Sequence, residues 1–171
     1  SYDLNGKERW RVRHKGWSVF PRPIGGHGLV FTIVDRDYPE LWAIRDNGQG
    51  DVTDTNVIWK VTRGMPSRCT PLLIKDLLYV VNHEGIMTCL EAKTGETVWK
   101  QRLPGKYSAT PIYTDDRIYL FNESSHCTII QPGRRFQTIA ESSLSPQQLM
   151  ATPAVHGNAF IVRTAGFLYH I

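Results

Sequence analysis

The groups of this 171-residue chain that could do chemistry are its histidines, its acidic clusters and its cysteines, and none is spaced as a reaction would need. His14, His27, His83, His126, His156 and His170 are dispersed, and no two share metal-ligand spacing. His83 and His126 make the best histidine case, because each precedes the same apolar strand in neighbouring repeats and both could reach one face of the fold. Asp46-Asn47-Gly48-Gln49-Gly50-Asp51 with Asp54 gathers oxygen ligands around glycines, as a calcium loop does. An EF-hand loop starting at Asp46 would want glycine at its sixth place and glutamate at its twelfth, where this chain has Asp51 and Val57. The segment therefore reads as a polar hairpin insertion, a natural place for a partner contact. Asp35, Asp37 and Glu40 could act as acid and base if held about 5–10 Å apart in a cleft, but Arg36 and Pro39 between them indicate a solvated loop. Cys69, Cys89 and Cys127 are odd in number, form no CxxC pair and sit in apolar phrases, so they read as small buried hydrophobes. There is no GxSxG nucleophile elbow, and Gly25-Gly26-His27-Gly28 lacks the Lys-Ser/Thr of a phosphate loop. Asn122-Glu123-Ser124 matches the glycosylation sequon. No catalytic, cofactor-binding or metal-ligating residue is assigned.

The elements that would position these groups repeat. Pro23, Pro71, Pro111 and Pro153 recur at roughly 40-residue intervals, the period of a repeat architecture. After each proline comes a turn rich in Gly, Asp or Asn and then an apolar strand: Leu29 to Val34, Leu77 to Val81, Arg117 to Phe121 and Ala159 to Val162. A further strand follows, best seen in Met87-Thr88-Cys89-Leu90, with both alternating faces largely apolar, so both sides of each sheet are covered. A fourth phrase ends on an aromatic residue: Gly6 to Trp10, Thr55 to Trp59, Gly95 to Trp99, and a decayed copy at Gly133-Arg134-Arg135-Phe136. The only helix candidate is a single turn at Ser145-Pro146-Gln147-Gln148-Leu149. Four-stranded antiparallel sheets stacked radially at this period make an all-β fold, the β-propeller.

Composition bounds the rest. Hydrophobic content of 41% and 21% charged residues describe an ordinary globular protein, and no apolar run nears the ~20 residues of a membrane span. The net charge of +4 is scattered, and the densest group, Arg9, Arg11 and Arg13, reads as the solvated face of an outer strand. Nucleic acid is not the expected partner.

The string Thr88-Cys89-Leu90-Glu91-Ala92-Lys93-Thr94-Gly95-Glu96-Thr97-Val98-Trp99 resembles the repeat of quinoprotein-like propellers, the pyrroloquinoline-quinone-like (PQQ-like) repeats. The resemblance covers essentially the whole chain, and is loosest in the first copy. It implies a propeller of seven or eight blades, of which about four are present as one unit over 1–171. The expected blades span 18–63, 67–103, 108–142 and 150–171, with a last strand that 1–13 could supply by closing the ring. It also implies a periplasmic or extracellular setting. In this family the Gly permits a tight turn and the Trp packs between blades. The enzymes add a calcium ion, carboxylate ligands, a catalytic aspartate and commonly a vicinal disulfide, and no position here carries these over.

The expected function is therefore a non-catalytic scaffold with no cofactor, binding a protein or small ligand through its loop faces, with room for an oligomer if the ring is incomplete. The alternative is part of a PQQ-dependent quinoprotein oxidoreductase, for which PQQ and calcium would be the cofactors. A second alternative is a carbohydrate- or ligand-sensing propeller using aromatics at the mouth, such as Trp17, Phe20, Tyr38 or Tyr107.

Overall fold

A computed structural model describes all 171 residues. The chain opens with a turn closed by a Tyr2–Glu8 bridge and the short strand β1 (Trp10–Arg11). The first sheet holds β2 (Ile24–Gly26), β3 (Leu29–Val34) and β4 (Glu40–Arg45), then an insertion carrying β5 (Gly50–Asp51) and the single turn α1 (Thr53–Asn56), and finally β6 (Val57–Val61). The second holds β7 (Leu72–Ile74), β8 (Leu77–Val81), β9 (Ile86–Glu91) and β10 (Thr97–Arg102). The third holds β11 (Ile112–Thr114), β12 (Arg117–Phe121), β13 (His126–Ile130) and β14 (Thr138–Ser143). The fourth has three strands, β15 (Ala154–His156), β16 (Ala159–Arg163) and β17 (Leu168–His170).

All four sheets are antiparallel meanders, the blade form of a propeller. Their middle strands are β-branched or aromatic and bounded by tight turns, and each shows apolar side chains to two neighbours. Every residue of β8 is buried for that reason. The core is a series of slabs between blades. Phe31, Ile33, Leu41 and Ala43 meet Leu78, Val80 and Leu90 between the first two, and Tyr79, Met87 and Cys89 meet Ile118, Leu120 and Ile130 between the next two.

The blades are also stitched along their innermost strands. The Arg22 amide donates to Thr70 Oγ1 at 3.1 Å, the Thr70 amide to Thr110 Oγ1 at 3.1 Å, and the Thr110 amide to Thr152 Oγ1 at 2.9 Å. This is what the recurring Thr-Pro does: the hydroxyl satisfies a backbone donor of the preceding blade, and the proline starts a strand whose N–H is not needed.

Three expectations are corrected. The segment 1–13 does not complete the fourth blade within this chain; β1 pairs in parallel with β5, and Trp10 packs on Val34, Trp42, Ile44 and Val52 of the first blade's outer side. The helical turn lies in the insertion at α1, where the Asn56 side chain donates to the Arg45 and Asn47 carbonyls and shapes the loop, whereas Ser145–Leu149 is non-helical. Phe136 is also not the third blade's outer-strand anchor. In the pairing with the third strand, Trp59 lies opposite Ala43, Trp99 opposite Cys89, and Ala140 opposite Ile129. Ala140 thus holds the tryptophan position, and Phe136 reaches back to Trp99 of the second blade, ring centroids 5.3 Å apart and edge to face.

Candidate functional site

Two kinds of loop come together on one face of the arc: those entering each innermost strand, and those between the second and third strands of each blade. The second kind is built by asparagine. Asn82 Oδ1 accepts from the Ile86 amide at 2.9 Å, and Asn122 Oδ1 accepts from the Ser124 and His126 amides at 2.9 and 3.0 Å, closing each turn from inside. Asn122 Nδ2 also donates to the Pro104 carbonyl at 3.0 Å, and the residue is 3% exposed, so the sequon is consumed by the fold.

Between the second and third blades this face carries a polar knot. Ser108 Oγ donates to Glu123 Oε1 at 2.5 Å. Arg68 Nη1 donates to Ser108 Oγ at 2.9 Å and to Glu123 Oε1 at 3.3 Å. His83 Nδ1 sits 3.2 Å from the Tyr107 carbonyl, 3.4 Å from Arg68 Nη1 and 3.5 Å from Glu123 Oε1. A serine, a histidine and a glutamate are thus adjacent, but the serine hydroxyl is spent on the carboxylate and the imidazole nitrogen nearest the knot faces a carbonyl. That order does not make a relay in which histidine takes the serine proton and the carboxylate orients histidine. The knot ties two blades together, and residue spacing could not reveal it because its members come from four separate loops.

His126 does not join His83. Its Nδ1 lies 2.9 Å from Ser143 Oγ, and its Nε2 is 3.9 Å from Glu141. His27 hydrogen-bonds the Lys75 carbonyl on the opposite turns, and His156 and His170 are exposed on the fourth blade. The calcium-like insertion is closed by its own contacts. Asp51 accepts from the Thr53 hydroxyl at 2.6 Å, from the Thr53 amide at 3.2 Å and from Arg13 Nε at 2.6 Å, and these hold its carboxyl down at about 2. Asp35 accepts from the Arg36 and Asp37 amides, and Asp37 accepts from Trp17 Nε1 at 3.1 Å, so this acidic pair organises a turn. Cys69, Cys89 and Cys127 are free and buried, and burial pushes each thiol up to about 12. No three His, Cys, Asp or Glu side chains gather as a metal ion would require. Of the aromatics at the mouth, Trp17, Phe20 and Tyr38 are 57, 62 and 81% exposed, whereas Tyr107 is fully buried between blades and is withdrawn as a ligand-contacting residue.

Residues 1–166 match the family model described as outer membrane protein assembly factor BamB. The chain belongs to the BamB family. It is 21% identical over 148 residues to outer membrane protein assembly factor BamB of Salmonella typhimurium, covering 86% of this chain and 36% of that protein. The crystal structure of BamB from Moraxella catarrhalis superposes with a TM-score of 0.76 at 14% identity, over 97% of this chain and 50% of that one. A quinohemoprotein alcohol dehydrogenase from Pseudomonas putida gives a TM-score of 0.58 at 16% identity, over 72% of this chain and 20% of that one. The chain thus spans half or less of the length of these relatives, and the all-β propeller of PQQ-like repeats is the architecture it shares with them.

Proposed function

We propose that this chain is a non-catalytic BamB-family scaffold that binds a protein partner through its loop face, and that its four sheets are consecutive blades of a larger ring. The supporting observation is how that face uses its polar groups. Ser108, His83 and Glu123 are tied to one another, to Arg68 and to the backbone, while Trp17, Phe20 and Tyr38 on the first blade's loops are exposed. A face that fixes its acid-base groups and leaves rings and cations outward is suited to binding rather than turnover. The name of the relatives, an assembly factor of the outer membrane, supports a protein partner and a periplasmic setting.

The oxidoreductase reading gains only the shared fold, which hosts many activities. The residues present do not fit calcium or pyrroloquinoline quinone: the Asp51 carboxylate is closed by Thr53 and Arg13, and the three cysteines are buried apart in different strands and loops.

A photoreactive benzoylphenylalanine at Tyr38 or Lys106 on the loop face, compared with Lys93 or Asp115 on the opposite face, tests the scaffold in cells. Discrete protein crosslinks from the first pair alone are expected; crosslinks from the second pair alone refute the loop-face assignment. One-to-one uptake of pyrroloquinoline quinone with calcium in equilibrium dialysis would refute the non-catalytic reading.

A further inference from the structure

On the face opposite the polar knot, equivalent grooves run between neighbouring blades, and one is shut while the next is open. Between the first two blades, Leu73 packs onto Gly26, where a Cβ would overlap its Cδ2. His27 then crosses to the Lys75 carbonyl at 2.8 Å and lies 3.7 Å from Asp76. By strand register, the groove between the second and third blades has Ile74 in place of Gly26, Tyr113 in place of Leu73 and Lys75 in place of His27. Ile74 has a side chain where the close approach needed none, and the Tyr113 hydroxyl is drawn to its own turn, donating to Asp116 Oδ1 at 2.7 Å. The groove therefore stays open as a pocket of about 380 Å³. Leu77 and Tyr79 are its buried wall, and Lys75, Tyr113, Asp116 and Gln131 are its exposed lining. Both walls come from consecutive blades, so the pocket does not depend on how the ring continues.

We propose that this pocket binds one pyranose unit of a carbohydrate. Its volume falls in the range of small-molecule sites, roughly 300–1,000 Å³. Its charges decide the class of ligand. Asp76 is met by His27 and Lys93 and Asp115 by Arg117, which leaves the Lys75 ammonium and the Asp116 carboxylate without an ion pair. One cation and one anion at the same opening give a ligand of either net charge a like charge to meet. A wholly apolar ligand would strip water from Lys75, Asp116 and Gln131 and return no hydrogen bond. A neutral ring with hydroxyls at its edge and C–H groups on its face suits both parts of the lining. The Asp116 oxygen not held by Tyr113 accepts from a hydroxyl, Lys75 and Gln131 donate to others, and the C–H face lies on the exposed ring of Tyr113. The site is on the face opposite the partner-binding loops and stands independently of that reading.

Saturation-transfer difference NMR with the methyl pyranosides of glucose, galactose, mannose and N-acetylglucosamine tests this, with maltotriose and chitotriose as glycan probes. Saturation should pass to the ring C–H protons of at least one probe. Its affinity should fall about tenfold in Asp116→Asn, as the loss of a charge-assisted hydrogen bond does, and clearly in Tyr113→Ala, which removes the ring. Asparagine tolerates the left-handed backbone of this turn, φ +52° at Asp116, so that variant keeps the fold. Asp76→Asn, beside Lys75 but bonded toward His27 and Lys93, should leave the affinity unchanged. A trisaccharide held more tightly than its monosaccharide assigns the site to a glycan chain, and equal affinities assign it to a free sugar. Probes that bind wild type, Asp116→Asn and Tyr113→Ala equally would overturn the site and leave the loop-face reading intact. So would zwitterionic phenylalanine binding in place of every pyranoside, or saturation transfer to none of the probes.

Discussion

Replacing Trp99 measures how strongly one blade is anchored to the next. The Trp99 ring lies 5.9 Å from Tyr79 of its own blade and 5.3 Å from Phe136 of the third, and Nε1 donates to the Gly133 carbonyl at 3.0 Å. Truncating a buried aromatic to alanine costs about 3–5 kcal/mol, and because Trp99 keeps some exposure, Trp99→Ala is expected near the lower end, about 3 kcal/mol. Trp99→Phe keeps a ring but loses the donor. The Gly133 carbonyl still has the Tyr79 hydroxyl 3.5 Å away, so that variant should cost only about 1 kcal/mol. Equilibrium urea unfolding followed by far-ultraviolet circular dichroism gives both numbers without relying on tryptophan emission. A double-mutant cycle with Phe136→Leu should return a coupling of about 0.5–1.5 kcal/mol, the usual worth of an edge-to-face pair. Strict additivity would refute the contact across blades, and Trp99→Phe as damaging as Trp99→Ala would refute the division between ring and hydrogen bond.

Gly95→Ala should destabilise by about 1–3 kcal/mol in the same assay: its φ is +75°, and a Cβ there would stand 2.8 Å from the Trp59 ring; a neutral substitution would mean that the indole has room to move. The three buried thiols should resist Ellman's reagent at neutral pH in the native chain and all react in urea. Their folded values, raised by burial from about 9 to about 12, mean that the folded state keeps protons the unfolded state loses, so this contribution to stability is intact below pH 9 and lost as pH rises toward 12; stability that climbs across that window would contradict the assignment. Asn122→Ala should cost about 1–3 kcal/mol by leaving turn amides unpaired, and expression in a glycosylating host should add no mass at Asn122.

Much of the fold was legible in the sequence because it is written in local chemistry. Alternating apolar residues make two-faced strands, Gly, Asp and Asn make the turns between them, and the recurring Thr-Pro marks where each innermost strand begins. The bland reading of the cysteines follows from the same local pattern, and the structure buries all three. The candidate site was not legible in this way. Arg68 and Glu123 meet across a separation of 55 residues.

What only the tertiary structure decided is which side chain each blade presents to its neighbour. The hairpin between β13 and β14 is longer than that between β9 and β10, so Ala140 takes the tryptophan position and Phe136 turns back onto Trp99. The N-terminal strand likewise found Gly50–Asp51 of the insertion instead of the fourth blade. Strand periodicity is a property of a few consecutive residues, whereas register, blade stacking and loop-to-loop approach depend on the twist of whole sheets, and no short stretch of sequence contains that.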